Sequence, residues 1–381
     1  MSSRRLDRMA LSLVAEPGDP RLRDLLLAHE PAEIVAAVRG RRHGNVISVP
    51  AGWAERGLEL DRLMDETRER AARAGLRWIC PGDPPWPDAL SDLDQVEPLH
   101  GVTGSPAGLW VRGTGNLALL CAASVSIVGA RDCTTYGAEC ASELAADCAD
   151  AGWTVVSGAA YGIDGCAHRG ALMMAKPTVA VLACGADVDY PTSHAALLAR
   201  VAEGGVVVSE QAPGQRPMKA RFLSRNRIIA ALSQGTVVVE AAVRSGSLNT
   251  LNWADQLGRT TMGLPGAVTS KASAGVHAAL RGGKAVLVTS GKDVVEELEG
   301  LGAETVEQKT LPVTEFDRLP AVARRALDGL DWRTARTPSD LAGAVRMSSR
   351  DVTSSLELLE RSGHASRTAA GWILVRRADI G

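Results

Sequence analysis

No stretch of the chain approaches the roughly 18 uninterrupted apolar residues that span a bilayer, which argues against a membrane protein. The opening "MSSRRLDRMALSLVAEPGD" carries basic residues but no apolar h-region, which argues against a secretory signal. Cysteine is odd in number, with residues at 80, 121, 133, 140, 148, 166 and 184 and no C-x-x-C pair. Such residues read as reduced, mostly buried thiols of a cytoplasmic protein, not as disulfide staples or zinc ligands. Charge of one sign is not in excess either. With a net charge of −2, the chain as a whole is no polycation, so any phosphate or nucleic-acid site must come from local clustering. Phe is nearly missing. Of only two, one lies in "MKARFLSRNRIIAAL", residues 218–232, inside the densest basic cluster of the chain.

What is there reads as several domains, since 381 residues exceed the roughly 250–300 at which a single core stops growing. Residues 1–75 predict a helical N-terminal domain: Leu6, Met9, Ala10 and Leu13 recur at helical spacing, as do Leu22, Leu25 and Leu26, then Ile34, Val35 and Val38. Residues 76–123, with "CPGDPPWPDAL" and "LHGVTGSPAGLWVRG", predict a Pro- and Trp-rich connecting segment with short strands laid against the next domain. From Ser124 short β-branched runs alternate with helical ones, from "SVSIVGA" and "GAECASELAADCADAG" through to "GKDVVEELEG". This alternation predicts an α/β core over 110–300 with a mainly parallel sheet. A linker over 301–317 and a separate domain over 318–381 follow. Three helices and a hairpin in the latter suggest a winged helix.

Ligands of an open parallel sheet bind beyond the carboxyl ends of its strands. Two turns there, Gly158-Ala159-Ala160-Tyr161-Gly162 and Ser245-Gly246-Ser247, place glycine and hydroxyl groups at a helix start, where unpaired N–H groups favour a phosphate. A dinucleotide site is disfavoured, because the turn from Gly129 to Gly137 lacks the G-x-G-x-x-G spacing and Ser157-Gly158 stands where a ribose-binding acid belongs. No P-loop pattern occurs, and no cofactor or metal is expected. Asp164 and His168 lie four apart on one helix, and Asp187 and Asp189 lie near His194, yet neither a G-x-S-x-G elbow nor an H-E-x-x-H is present. The favoured reading is that Asp164 buttresses its loop with His168 orienting it.

The basic cluster is the stronger signal. Arg216, Lys219, Arg221, Arg225 and Arg227 put five positive charges into twelve residues, and no acidic residue lies between Glu210 and Glu240. A solvated charge run normally alternates in sign. Like charges this close repel unless an anion lies between them, and guanidinium forks suit phosphate. Arg131 and Arg244 add cations at the same sheet edge, and Phe222 offers a flat face to a base. The competing reading makes Phe222 a staple folded under the helix, merely framed by arginines.

"SIVGARDCTTYG", "VVSGAAYGIDGCAHRGAL", "VAVLACGADVDYPTSH", "SEQAPGQRPMKARFLSRNRIIAALS" and "VVVEAAVRSGSLNTLNWADQLGR", in this order, closely resemble the DNA-processing protein A family, also called DprA or Smf. The resemblance runs through most of 124–290. It implies an extended Rossmann-like core, a sterile-alpha-motif-like N-terminal domain and a C-terminal winged helix. It further implies a cytoplasmic homodimer, without enzymatic turnover, that binds and protects incoming single-stranded DNA and loads the RecA recombinase in natural transformation. Carried over, the strand-binding residues would be Arg131, Gly158, Lys219, Phe222, Arg225, Asn226, Arg227, Gly246 and Ser247. The cations would hold phosphates, Phe222 would stack on a base, and the amides at Gly158 and Ser247 would finish the cradle. Three departures stand out: Leu223 replaces a usual proline, which suggests a less rigid loop around Phe222; Ala231 replaces glycine; and Leu251 follows the "SGSLNT" run.

Two rivals remain on the same fold. A phosphoribohydrolase-like nucleotide enzyme would use Glu240, although the P-G-G-x-G-T-x-x-E run of such enzymes is absent. A pure interaction scaffold would use the core for docking alone.

Overall fold

Nine strands make the central sheet of the computed structural model, which describes residues 3–40, 47–300 and 319–375. They are β1 (Arg77–Ile79), β2 (Leu109–Arg112), β3 (Ser124–Val128), β4 (Thr154–Ser157), β5 (Thr178–Leu182), β6 (Val206–Ser209), β7 (Gly235–Val238), β8 (Thr260–Gly263) and β9 (Val286–Leu287). Their order is β1-β2-β6-β5-β4-β3-β7-β8-β9. The seven strands from β6 to β9 pair in parallel. Strands β3 to β7 are buried along their whole length, as a sheet covered by helices on both faces requires. The hydroxyls inside them are satisfied locally: Ser126 donates to the Ile229 carbonyl, Ser157 to Ile127 and Thr178 to Val155.

The Pro- and Trp-rich segment does more than connect. Its β2 pairs antiparallel with β6, and β1 pairs antiparallel with β2, so the segment extends the sheet by two strands. Trp78 and Trp110 face each other across that pair with ring centroids 4.9 Å apart, the aromatic cross-strand contact that stabilises an added edge. The helices Ser3–Val14 and Leu60–Arg73 pack onto this edge. Met9 joins Trp78 and Trp110 in one apolar cluster, and Arg5 bonds Asp83 and the Trp78 carbonyl. Residues Met1–Ala303 accordingly form one compact unit and Glu304–Gly381 a second. The expected linker over 301–317 lies outside the described residues.

In the second unit, helices Ala321–Asp328, Pro338–Val345 and Ser349–Arg361 precede a hairpin of β10 (Ala365–Thr368) and β11 (Gly371–Leu374). Leu341, Val352, Leu356, Leu359 and Trp372 form its core. Thr337 and Ser348 cap the second and third helices, accepting from the N–H groups of Asp340 and Asp351.

His168 has a structural role under the helix Ile163–Met173. It bonds Thr178 of β5 through Nδ1 at 2.8 Å and does not orient Asp164 as expected. Burial, with help from His194 and nearby arginines, pushes its pKa down to about 3 from the ordinary 6.5. The folded state therefore keeps it neutral, while the unfolded chain protonates it below its ordinary pKa, so its contribution is complete above that value and is lost as pH falls toward the folded pKa. Between about pH 7.5 and 5.5, urea unfolding of the wild type should lose roughly 1.4 kcal/mol more than that of His168→Gln. Equal losses would contradict a buried, neutral imidazole.

Candidate nucleic-acid interface

Strand order reverses between β3 and β7, and a cleft opens there at the carboxyl ends, where open α/β sheets place their ligands. Its volume is about 250 Å³. Gly129 and Arg131 line it from the turn after β3, and Ala160 and Asp164 from the segment after β4. Phe222, Arg225 and Asn226 line it from the helix Lys219–Ala231, and Ser245, Gly246 and Ser247 from the turn after β7. Of the residues expected from the sequence, Arg131, Phe222, Arg225, Asn226, Gly246 and Ser247 thus meet at one cleft, whereas Gly158, Lys219 and Arg227 do not line it. A larger groove, about 690 Å³, lies between the N-terminal helices and the 211–215 turn. Its rim mixes Glu with Arg, paired in part as Arg70–Asp187 and Arg221–Glu16, so it offers no field of one sign.

The helix begins at Lys219, so Phe222 and Leu223 are helical and not part of a loosened loop. Leu223 keeps the backbone N–H that proline would lack, which suits a helix at this point. From Ser224 to Ala231 every residue is buried, because the helix is enclosed by the sheet, the helix Ser247–Gln256 and the turn Asp88–Asp94. Asn226 Nδ2 donates to the Gly246 carbonyl at 3.1 Å, tying the helix to the Ser245–Ser247 turn. Phe222 is half-buried on the cleft wall. The Arg131 guanidinium lies 4.3 Å from its ring centroid and Tyr190 packs at 5.8 Å. The ring face expected to receive a base is therefore covered by Arg131, whose own outer face is exposed.

The arginines divide into three kinds. Arg227 is 0% exposed and corrects the expectation of a phosphate contact: both its terminal nitrogens bond Glu210, at 2.7 and 2.8 Å, and Nε donates to the Gly104 carbonyl. Arg221 pairs with Glu16 at 3.5 Å. The anions missing from the local sequence thus arrive from elsewhere in the chain. Arg131, Arg216, Lys219 and Arg244, by contrast, are exposed and have no carboxylate partner among the described residues.

Arg225 differs from both groups. It is 6% exposed, its one ion pair among the described residues, to Asp164, is stretched to 3.9 Å, and its Nε, like that of Arg221, has no hydrogen-bond partner. Burial pulls its pKa below the ordinary value, opposed by Asp164 and reinforced by Arg131, yet a guanidinium stays charged in proteins. Gly158 makes room for it. A Cβ there would lie 1.3 Å from Arg225 Nη1. The amides of Ala160, Gly129 and Gly158 lie close to the Asp164 carboxyl and favour its charged form. Burial pushes the Asp164 carboxyl up from its ordinary value, opposed by Arg225 and by those amides. Asp164 is buried in the cleft lining beside Arg225.

The remaining candidates are committed to the scaffold. Asp187 accepts from Gly214 N–H and Arg70, Asp189 from Arg112, and His194 Nδ1 meets the Ala159 carbonyl at 3.1 Å. Glu240 is buried and accepts from Thr134 N–H at 2.9 Å and Oγ1 at 2.6 Å, which fixes the start of the helix Thr135–Asp150. Tyr190, missed in the sequence, was recognisable only as an aromatic at a strand's carboxyl end.

If Arg227 belongs to the core, Arg227→Met strands a buried carboxylate and should cost roughly 3–5 kcal/mol in urea unfolding. Adding Glu210→Leu should recover most of that loss. A stable Arg227→Met variant would return Arg227 to the ligand side.

Residues 77–299 match the family model described as DNA recombination-mediator protein A. Over 368 residues the chain is 40% identical to a putative DNA processing protein DprA of Mycobacterium tuberculosis, covering 96% of this chain and 93% of that one. It is 39% identical over 213 residues to the DNA processing protein DprA of Streptococcus pneumoniae, covering 55% of this chain and 74% of that one. The X-ray structure of that pneumococcal protein superposes with a TM-score of 0.63 and 29% identity, over 77% of this chain and 98% of that chain. A DNA processing protein A from Helicobacter pylori, solved to describe its single-stranded DNA binding mode, superposes with a TM-score of 0.50 and 26% identity, over 58% and 95%. Matched by the family model across its sheet and by a relative along nearly its whole length, the chain belongs to the DNA recombination-mediator protein A family, DprA or Smf.

Proposed function

We propose that the protein binds single-stranded DNA in the cleft between the β3 and β7 turns, as a binding protein without turnover. The observation that carries this reading is Arg225. A buried cation with an unfilled donor and a stretched ion pair is unfavourable as it stands, and a phosphate oxygen completes it. Exposed Arg131 and Lys219 supply further phosphate contacts, and the Gly246–Ser247 helix start faces the same space. Membership of the family supports the wider role: a cytoplasmic homodimer that protects incoming strands and loads RecA recombinase during natural transformation. In that reading the N-terminal helices are the sterile-alpha-motif-like module and the C-terminal unit is the winged helix.

Anisotropy titration of a labelled oligothymidylate against salt tests the binding step. Affinity should fall steeply with salt, and Arg131→Ala with Lys219→Ala should flatten the slope of log K against log salt by about 0.7 for each phosphate contact removed. Gly158→Ala, which changes no charge, should weaken binding at every salt concentration by displacing Arg225. Absence of wild-type binding at low salt would sink the proposal.

A further inference from the structure

The chain has three Tyr and two Phe. All three Tyr and the one described Phe stand at the carboxyl edge of the sheet: Tyr136 in the helix start after β3, Tyr161 after β4, Tyr190 after β5 and Phe222 after β6. Tyr190 packs against one core cluster, but Tyr136 and Tyr161 are exposed and belong to none. Those two rings therefore call for a reason other than packing.

Tyr161 is 50% exposed although it is firmly held. Its ring meets His194 edge-on at 5.4 Å and its hydroxyl accepts from Ser193 Oγ at 3.2 Å. The segment that holds it, Tyr190 to His194, begins with the ring that packs on Phe222. Two ring pairs, Phe222 with Tyr190 and His194 with Tyr161, are thus joined by the segment 190–194 at the ends of β4 and β5. Arg169 stands beside it, exposed and without a carboxylate partner among the described residues, its Nη2 3.4 Å from His194 Nε2. A fixed ring with an open face next to an unpaired cation is what a sequence-tolerant nucleotide subsite consists of.

We infer that Tyr161 is a second base platform, with Arg169 on the adjoining phosphate, so that a strand seated in the Arg225 cleft runs out across β4 and β5 and not toward β8. This rests on the single-strand reading above and extends it by giving the strand a direction. Tyr136, also exposed but bonded to the Pro265 carbonyl on the β8 side, marks the opposite exit.

Labelled oligothymidylates of about six and about fifteen nucleotides, within the span of single-strand sites, separate the two levels. Tyr161→Ala and Tyr161→Leu should weaken binding of the longer probe roughly five- to a hundred-fold and leave the shorter one unchanged, while Tyr161→Phe keeps both. Tyr161→Leu preserves an apolar contact with His194, so a loss shared by both variants is not a folding defect. Unchanged binding of the long probe, equal loss for both lengths, or a length-dependent loss on Tyr136→Ala instead would overturn the inference. If the wild type binds neither probe at low salt, the single-strand reading itself has failed.

Discussion

A single buried ion pair sets the geometry on which the cleft depends. Arg227 and Glu210 close on each other through two parallel bonds, and Arg227 also reaches the Gly104 carbonyl. That contact joins the end of β6, the enclosed helix Lys219–Ala231 and the Pro- and Trp-rich segment. Because a buried guanidinium tolerates little displacement once its fork is engaged, the helix has one axial position and one rotation. Phe222 and Arg225, on the same helix, are set by it. The residue that looked like a ligand contact is thus what holds Phe222 and Arg225 in place at the cleft.

Electrostatics then separates two jobs within a dozen residues. Glu16, from the N-terminal helices, and Glu210, at the end of β6, neutralise Arg221 and Arg227, while Arg225 is paired only at 3.9 Å and the flanking cations have no carboxylate partner among the described residues. The net charge of the chain stays near zero, yet Arg131, Arg216, Lys219 and Arg244 set unpaired positive charge beside the cleft. Screening shortens the reach of such a patch to about 8 Å at physiological salt. It therefore acts on what is already close.

The layered core was legible because strand and helix periods differ, and runs such as "TVAVL" leave little ambiguity. The hairpin and three helices at the C-terminus were legible for the same reason. Short strands in the Trp78–Trp110 segment were expected, but not their antiparallel addition to the sheet: three- and four-residue strands carry too little periodicity to set a partner, and their pairing spans some thirty residues. In the site, glycine and hydroxyl turns pointed to the correct edge. The burial of Asp164 beside Arg225 did not follow, since an aspartate looks the same in sequence whether it faces solvent or lines a cleft. The partners of Arg221 and Arg227 lie at Glu16 and Glu210, and only folding brings the first of these near.

The division of aromatic types has a spectroscopic consequence. None of the eight Trp lines the cleft. Trp78, Trp86, Trp110 and Trp253 are buried in the sheet unit, and Trp372 is buried in the C-terminal one. Apart from Trp332, which is 54% exposed, indole emission from this protein therefore reports on whether its cores are intact, while the phenol rings stand at the carboxyl edge of the sheet. The molecule has separated its chromophores by location, so a change in one signal without the other already tells which part of it has responded.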